Sequence, residues 1–213
     1  MLERFHQFWT NVWSPLGDLL LRLGVSPNTV TLVGTLGVVA GALVFFPRGW
    51  LLAGVLVITA FVFSDMIDGY MARTSGQTSP FGAFLDSTLD RIGDAAIFGG
   101  LAMYYVGPGD DERWAALAIY CLSMGSVTSY ARARAESLGM QAKVGIAERS
   151  DRLVLILAAV GLADLLRLLG VDDRVLWLIP IALALLAVAS TITVVQRILV
   201  VRRQALELGS PAE

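Results

Sequence analysis

A chain of 213 residues that is 56% hydrophobic, with a mean hydropathy of +0.69, is too apolar for an ordinary soluble domain; such domains run at about 45–50% apolar residues. The formal charge of −2 says little about partners, because the charges are segregated, and no nucleic acid polymer is expected among them. One histidine, His6, argues against histidine catalysis or a histidine zinc site, and one cysteine, Cys121, excludes an intrachain disulfide and reads as a packing residue.

In chain order, Leu2, Phe5, Phe8, Trp9, Val12, Trp13, Leu16, Leu19, Leu20 and Leu23 recur at helical spacing, interrupted by Glu3, Arg4, Asp18 and Arg22. This predicts an interfacial amphipathic helix over 2–24, with Trp9 and Trp13 at headgroup depth. No signal peptide is expected, since no long apolar core is followed by a small-residue cleavage site. Ser26-Pro27-Asn28-Thr29 reads as a cap followed by proline in the first turn, opening a span that runs to about Phe46. Its Gly34, Gly37 and Gly41 leave a smooth strip suited to close packing inside the chain or to a dimer seam.

After the turn Pro47-Arg48-Gly49, a second span is expected over 50–74 and a third from Phe81 or Gly82 to Val106, joined by the polar loop Ser75 to Pro80. Gly107 to Glu112 reads as an acidic loop with solvated carboxylates. A fourth helix is expected over 113–138, a fifth over 151–169 and a sixth over 175–200. Between the fourth and fifth lies the basic loop Gly139 to Ser150. The polar tail 202–213 is expected to fray. The fold class is therefore an all-α integral membrane protein: a single domain with a six-helix bundle over 28–200 and an N-terminal interfacial helix. Six spans divide the 16 Lys and Arg residues twelve to four. Arg48, Arg113, Arg167 and Arg174 fall on the poorer side. That bias places the richer side, with both termini, in the cytoplasm and the protein in the cell membrane.

The chemistry concentrates in Asp65-Met66-Ile67-Asp68-Gly69-Tyr70-Met71-Ala72-Arg73 and onward through Gly82, Asp86 and Asp90. Asp65 and Asp68 are three apart and Asp86 and Asp90 four apart, so on helices each pair shares a face. Four carboxylates at a membrane edge are costly unless paired or bound to metal. Oxygen-only ligands favour Mg²⁺ or Mn²⁺, and carboxylates on two helices suit two ions. Intramembrane carboxylates also mark cation or proton pathways in transporters, but Gly69, Arg73 and Gly82 at fixed spacing argue against that reading. The membrane prenyltransferases, with aspartate pairs on separate halves of a longer bundle, are a further alternative; here both pairs fall within 26 residues.

Tyr130-Ala131-Arg132-Ala133-Arg134-Ala135-Glu136, Glu148-Arg149-Ser150-Asp151-Arg152 and Gln196-Arg197 form a second informative set. Arg149 and Arg152 share a helix face, and Arg197 can approach them from the last span. Arginine forks bind phosphate bidentately, so the group suggests an anionic acceptor. Arg132 and Arg134, two apart, cannot both face one pocket on a regular helix.

The spacing Asp65-x2-Asp68-Gly69-x2-Ala72-Arg73-x8-Gly82-x3-Asp86-x3-Asp90 resembles, at every fixed position, the signature of the CDP-alcohol phosphotransferases. The resemblance implies metal ligation by Asp65, Asp68, Asp86 and Asp90, with Asp90 also the general base for the acceptor hydroxyl. It implies CDP-diacylglycerol contacts at Asn28, Thr29, Val30, Thr31, Gly69, Ala72, Arg73, Ser79 and Gly82. Over nearly the whole chain the sequence is similar to the actinobacterial phosphatidylinositol-phosphate synthases. That similarity implies inositol 1-phosphate as acceptor, its phosphate on Arg132, Arg134, Arg149, Arg152 and Arg197, and a homodimer in membrane lipid. Arg132 stands where related sequences can have lysine, which leaves its role open. The alternative within the family is phosphatidylglycerophosphate synthase, which takes glycerol 3-phosphate. A member that binds the nucleotide lipid without chemistry is disfavoured by the complete aspartate set.

Overall fold

The computed structural model describes residues 14–209, and every element among them is helical. A helix over 14–22 (α1) precedes α2 (Pro27–Phe45), α3 (Leu51–Val62), α4 (Ser64–Thr74), α5 (Pro80–Val106), α6 (Glu112–Ser137), α7 (Arg149–Leu168) and α8 (Leu178–Gly209). Short 3₁₀ turns lie at Phe46–Arg48 and Asp173–Trp177. The expected interfacial helix falls largely on residues 1–13, outside the described residues, as does the tail beyond 209.

Among the described residues, three stretches are long and apolar enough to cross a bilayer: Pro27–Arg48, Leu51–Thr74 and Asp173–Leu208, of 22, 24 and 36 residues. The apolar faces point outward. On α2, Leu32, Val33, Leu36, Leu43 and Val44 are exposed, whereas Gly34, Val38, Gly41 and Ala42 are buried. On α8, Ile181, Leu185, Val188, Ile192 and Val195 are exposed while Ser190, Thr193 and Arg197 are buried. An exterior of large aliphatic side chains over an interior of small and polar ones suits lipid as solvent. The molecule is a multi-pass membrane protein. Helices α5, α6 and α7 have 27, 26 and 20 residues but carry more charge, including Asp86, Asp90, Arg91 and Asp94 on α5.

The chain forms two compact units. The first comprises residues up to 46 and 53–97. Ser26 caps α2 as the sequence predicts: its hydroxyl accepts from the Thr29 N–H at 3.2 Å, with Pro27 in the first turn. Helix α2 packs on α4. The glycine strip serves contacts inside this unit: Gly34 faces the Ser64 side chain, Gly37 the Phe61 ring, and Gly41 Ile58 and Val57. Gly37→Leu would drive its side chain into that ring. A loss of about 1–3 kcal/mol is expected, read as a lower melting temperature in detergent; an unchanged melt would contradict this packing.

The single helix expected over 50–74 is broken at Phe63. The Ser64 hydroxyl donates to the Phe61 carbonyl at 2.6 Å, and the Met66 N–H reaches Phe63 O at 3.1 Å, three residues back instead of four. This local tightening separates apolar α3 from the polar helix α4 that carries Asp65 and Asp68. At the unit's other edge, the Tyr70 hydroxyl donates to Asp18 at 2.9 Å and its ring lies against Gly17, which ties α1 to α4.

The second unit comprises residues 47–52 and from 98 onward. Helix α8 packs on α6 and α7, and the Cys121 thiol, buried, donates to Leu183 O at 3.2 Å. The basic loop between α6 and α7 is pinned to α8. The Thr193 hydroxyl accepts from Ile146 and Ala147 N–H groups at 3.2 and 3.3 Å. Gln204 exchanges two hydrogen bonds with the Gln141 backbone, at 2.9 and 2.6 Å. The expectation of a frayed tail from 202 is therefore corrected: α8 continues to Gly209 because Gln204 has a tertiary partner. The acidic loop is corrected at one position. Asp111 caps α6, accepting from Arg113 N–H at 3.0 Å, and takes both arms of the Arg113 guanidinium at 3.1 and 2.8 Å. That contact holds its carboxyl below the usual carboxylate range.

Candidate active site

In the first unit, the N-terminal turn of α2 and the polar helix α4 bring several sequence-predicted residues together. Asp68 is buried, and the Thr31 hydroxyl donates to its Oδ2 at 2.5 Å. Helix α5 contributes Asp86, exposed, and Asp90, half-buried, and the charges of both bear on Asp68. Two like charges beside a buried carboxylate, three in all, are unfavourable without a counter-ion. All-oxygen donors from two helices fit a hard divalent cation. Asp65 lies on α4 one turn before Asp68; its side chain is outside the described set. Among the described residues no three acidic, His or Cys side chains form a ready metal cluster.

Beside the carboxylates, Asn28, Ser79 and Gly82 converge. The Ser79 hydroxyl accepts from the Gly82 N–H at 3.0 Å. A Cβ placed on Gly82 would lie 3.3 Å from that hydroxyl and 3.4 Å from Asn28 Oδ1. The Arg73 guanidinium, exposed, lies over Gly69, its Nη1 3.4 Å from where a Cβ would stand. Ala72 is half-buried on α4, and its carbonyl accepts from Gln77 N–H in the turn that closes the helix. Thr29 is engaged instead in the α2 cap, its hydroxyl 2.8 Å from that of Ser26, and Val30 is half-buried.

One acidic residue went unread in the sequence. Asp94 is buried on α5 one turn beyond Asp90, with Arg91 Nη2 3.6 Å from its Oδ2. The four-residue step Asp86, Asp90, Asp94 was the available signal.

The second unit holds the arginines. Arg152 is 2% exposed and Arg197 4% exposed. Arg197 donates from Nε to Val144 O at 3.0 Å and from Nη1 to Thr128 O at 2.5 Å, so it joins the loop to α6. Arg152 donates to Ala147 O at 3.4 Å and lies against Gly125, whose missing side chain makes the room. Arg149 is half-buried at the start of α7. Arg132 pairs with Glu136 at 3.1 Å, and its charge bears on Arg197; Arg134 is exposed and reaches Ser137 at 3.3 Å. Arg132 is thus the member of that pair whose charge reaches Arg197. Gly125 and the Thr128 carbonyl were not legible as partners, since they lie on α6 far in sequence from α7 and α8.

The family model for CDP-alcohol phosphatidyltransferase matches residues 24–195. The chain belongs to the CDP-alcohol phosphatidyltransferase family. This CDP-alcohol phosphatidyltransferase is 52% identical over 209 residues to the phosphatidylinositol phosphate synthase of Streptomyces avermitilis, covering 97% of this chain and 85% of that one. It is 51% identical over 203 residues to the synthase of Cutibacterium acnes, covering 95% and 98%. The crystal structure of Mycobacterium tuberculosis phosphatidylinositol phosphate synthase with CDP-DAG bound superposes with a TM-score of 0.83 at 41% identity, covering 90% of this chain and 94% of that one. The same synthase in complex with manganese and citrate gives 0.81 at 42% identity, covering 88% and 87%.

Proposed function

We propose that this phosphatidyltransferase moves the phosphatidyl group of CDP-diacylglycerol to inositol 1-phosphate. The inositol hydroxyl oxygen attacks the phosphatidyl phosphorus, the bond to the bridging diphosphate oxygen breaks, and CMP leaves with the electron pair. Asp90 accepts the hydroxyl proton as the new ester forms. A divalent cation, Mg²⁺ or Mn²⁺, held by Asp65, Asp68, Asp86 and Asp90 supplies neutralisation of the diphosphate oxygens, and two ions suit carboxylates from two helices. The Thr31 hydroxyl fixes the Asp68 carboxylate, so its orientation is set before substrate arrives. Asn28, Ser79, Gly82 and Arg73 hold the nucleotide diphosphate, with Gly69 and Ala72 allowing close approach.

The observation that carries this reading is the joining of α2, α4 and α5 carboxylates and hydroxyls in a chain about half identical to two synthases. Arg149, Arg152 and Arg197, with Arg132 at their edge, recognise the phosphate of the acceptor. The rest of the organisation is proposed with it. Six spans form one domain, the carboxylates face the cytoplasm at the cell membrane, and two chains form a homodimer in lipid.

An acceptor panel tests the reaction: purified protein, CDP-diacylglycerol, and inositol, inositol 1-phosphate, glycerol 3-phosphate or serine, with CMP release measured. Inositol 1-phosphate is expected to give the highest kcat/KM. Preference for glycerol 3-phosphate would assign phosphatidylglycerophosphate synthesis, and no CMP with any acceptor would sink the transferase reading. Chelation of divalent cations is expected to reduce CMP release by more than about 100-fold, with recovery on adding Mg²⁺ or Mn²⁺; turnover persisting in chelator would reject the metal role.

A further inference from the structure

The second unit has a cleft of about 270 Å³ that the transferase reaction does not use. It lies where α5 ends, α6 begins and the 3₁₀ turn leads into α8. Trp114 and Arg132 are both on α6, about 27 Å apart at 1.5 Å per residue. The cleft and the arginine group therefore occupy opposite ends of this unit.

Aromatic rings and carboxylates make up the cleft. Trp114 and Trp177 meet edge to face, with centroids 5.7 Å apart and planes at 82°. Tyr104 and Tyr105 form a second angled pair at 5.0 Å and 64°. Asp110 and Asp173 line the cleft, and neither is in an ion pair among the described residues. Asp111 also lines it but is matched by Arg113.

An interfacial aromatic belt would turn all its rings to lipid, whereas of the cleft's rings Trp177 is 56% exposed and the tyrosines are buried. Here Tyr104 and Tyr105 are 6% and 5% exposed, and their hydroxyls hydrogen-bond no described residue although both rings line the cavity. The rings are buried but the hydroxyl oxygens are not sealed off, so they are open to a partner that enters the cleft. The wall is also closely fitted: a Cβ on Gly109 would meet Tyr104 at 2.9 Å and Tyr105 at 3.0 Å. Ring faces set at an angle, together with unmatched carboxylates, attract a cation whose bulk is apolar. A metal ion would seek more oxygen ligands.

We propose that this cleft binds an alkylammonium group, held against Trp114 and Trp177 and neutralised by Asp110 and Asp173. That chemistry occurs in soluble amines and in the headgroups of amine-bearing lipids.

The test is equilibrium dialysis of radiolabelled choline against the full-length protein in detergent, with sodium chloride as the ionic control. Saturable binding of about one choline per chain is expected, weakened about tenfold in Trp114→Ala and in Asp173→Asn. CMP release by both variants is expected to stay at the wild-type level, which shows that they fold. Absence of saturable binding, or equal binding in the wild type and in variants that retain turnover, would overturn the proposal. If a variant loses turnover, Trp114→Phe and Asp110→Asn take its place under the same criterion. Repeating the titration in phosphatidylglycerol nanodiscs with and without phosphatidylethanolamine assigns the source. Competition by the lipid indicates a headgroup, and unchanged choline affinity indicates a soluble amine.

Discussion

Asp90→Asn is expected to lower kcat for CMP release by on the order of 10³-fold, with CDP-diacylglycerol binding weakened far less. A positioned general base contributes about 10²–10⁴-fold, and asparagine keeps the shape of the side chain while removing its basicity. Asp90 is half-buried on α5, one turn from Asp86 and within electrostatic reach of Asp68. The variant also removes one negative charge from that group, so cation affinity should fall. Measuring turnover at saturating Mg²⁺ separates the two effects. A variant that regains wild-type kcat at high Mg²⁺ would keep Asp90 as a ligand and remove it as the base.

Arg152→Lys is expected to raise the KM for inositol 1-phosphate by about 10- to 100-fold while the KM for CDP-diacylglycerol changes little. Charge-assisted hydrogen bonds contribute about 1.5–3 kcal/mol, and lysine keeps the charge but loses the fork. Lysine is the informative substitution because Arg152 is 2% exposed and fills the space left by Gly125. Alanine there would remove packing as well as charge, and a loss of folding would obscure the acceptor effect. A second measurement strengthens the assignment: with unphosphorylated inositol as acceptor, the variant and the wild type should differ much less. Equal loss with both acceptors would assign Arg152 to the fold instead of the acceptor phosphate.

The parts of this fold that were legible in the sequence rest on local signals. Ser26 and Pro27 open α2 where a cap and a first-turn proline should, because both act through their own backbone. The aspartate spacing placed its residues on two helices joined by one short loop, and the charges of Asp86 and Asp90 do bear on Asp68. The break at Phe63 was not legible, since hydrophobicity continues across it and a single serine hydroxyl diverts the ladder. The helical tail depends on Gln204 meeting Gln141, 63 residues away, which no local pattern reveals. Arg197 was read as a phosphate ligand, yet it also holds the carbonyls of Val144 and Thr128. Thr31 was named as a donor contact, and the bond to Asp68, 37 residues on, gives it a second task.

The most direct measurement is a Mn²⁺ titration followed by electron paramagnetic resonance, on wild type and on Asp68→Asn, with and without CDP-diacylglycerol. The wild type should remove Mn²⁺ from solution saturably and more tightly when the nucleotide lipid is present, and Asp68→Asn should lose most of that gain. Mn²⁺ uptake indifferent to the nucleotide lipid, or the same in the variant, would contradict a carboxylate group built to hold cations against a diphosphate.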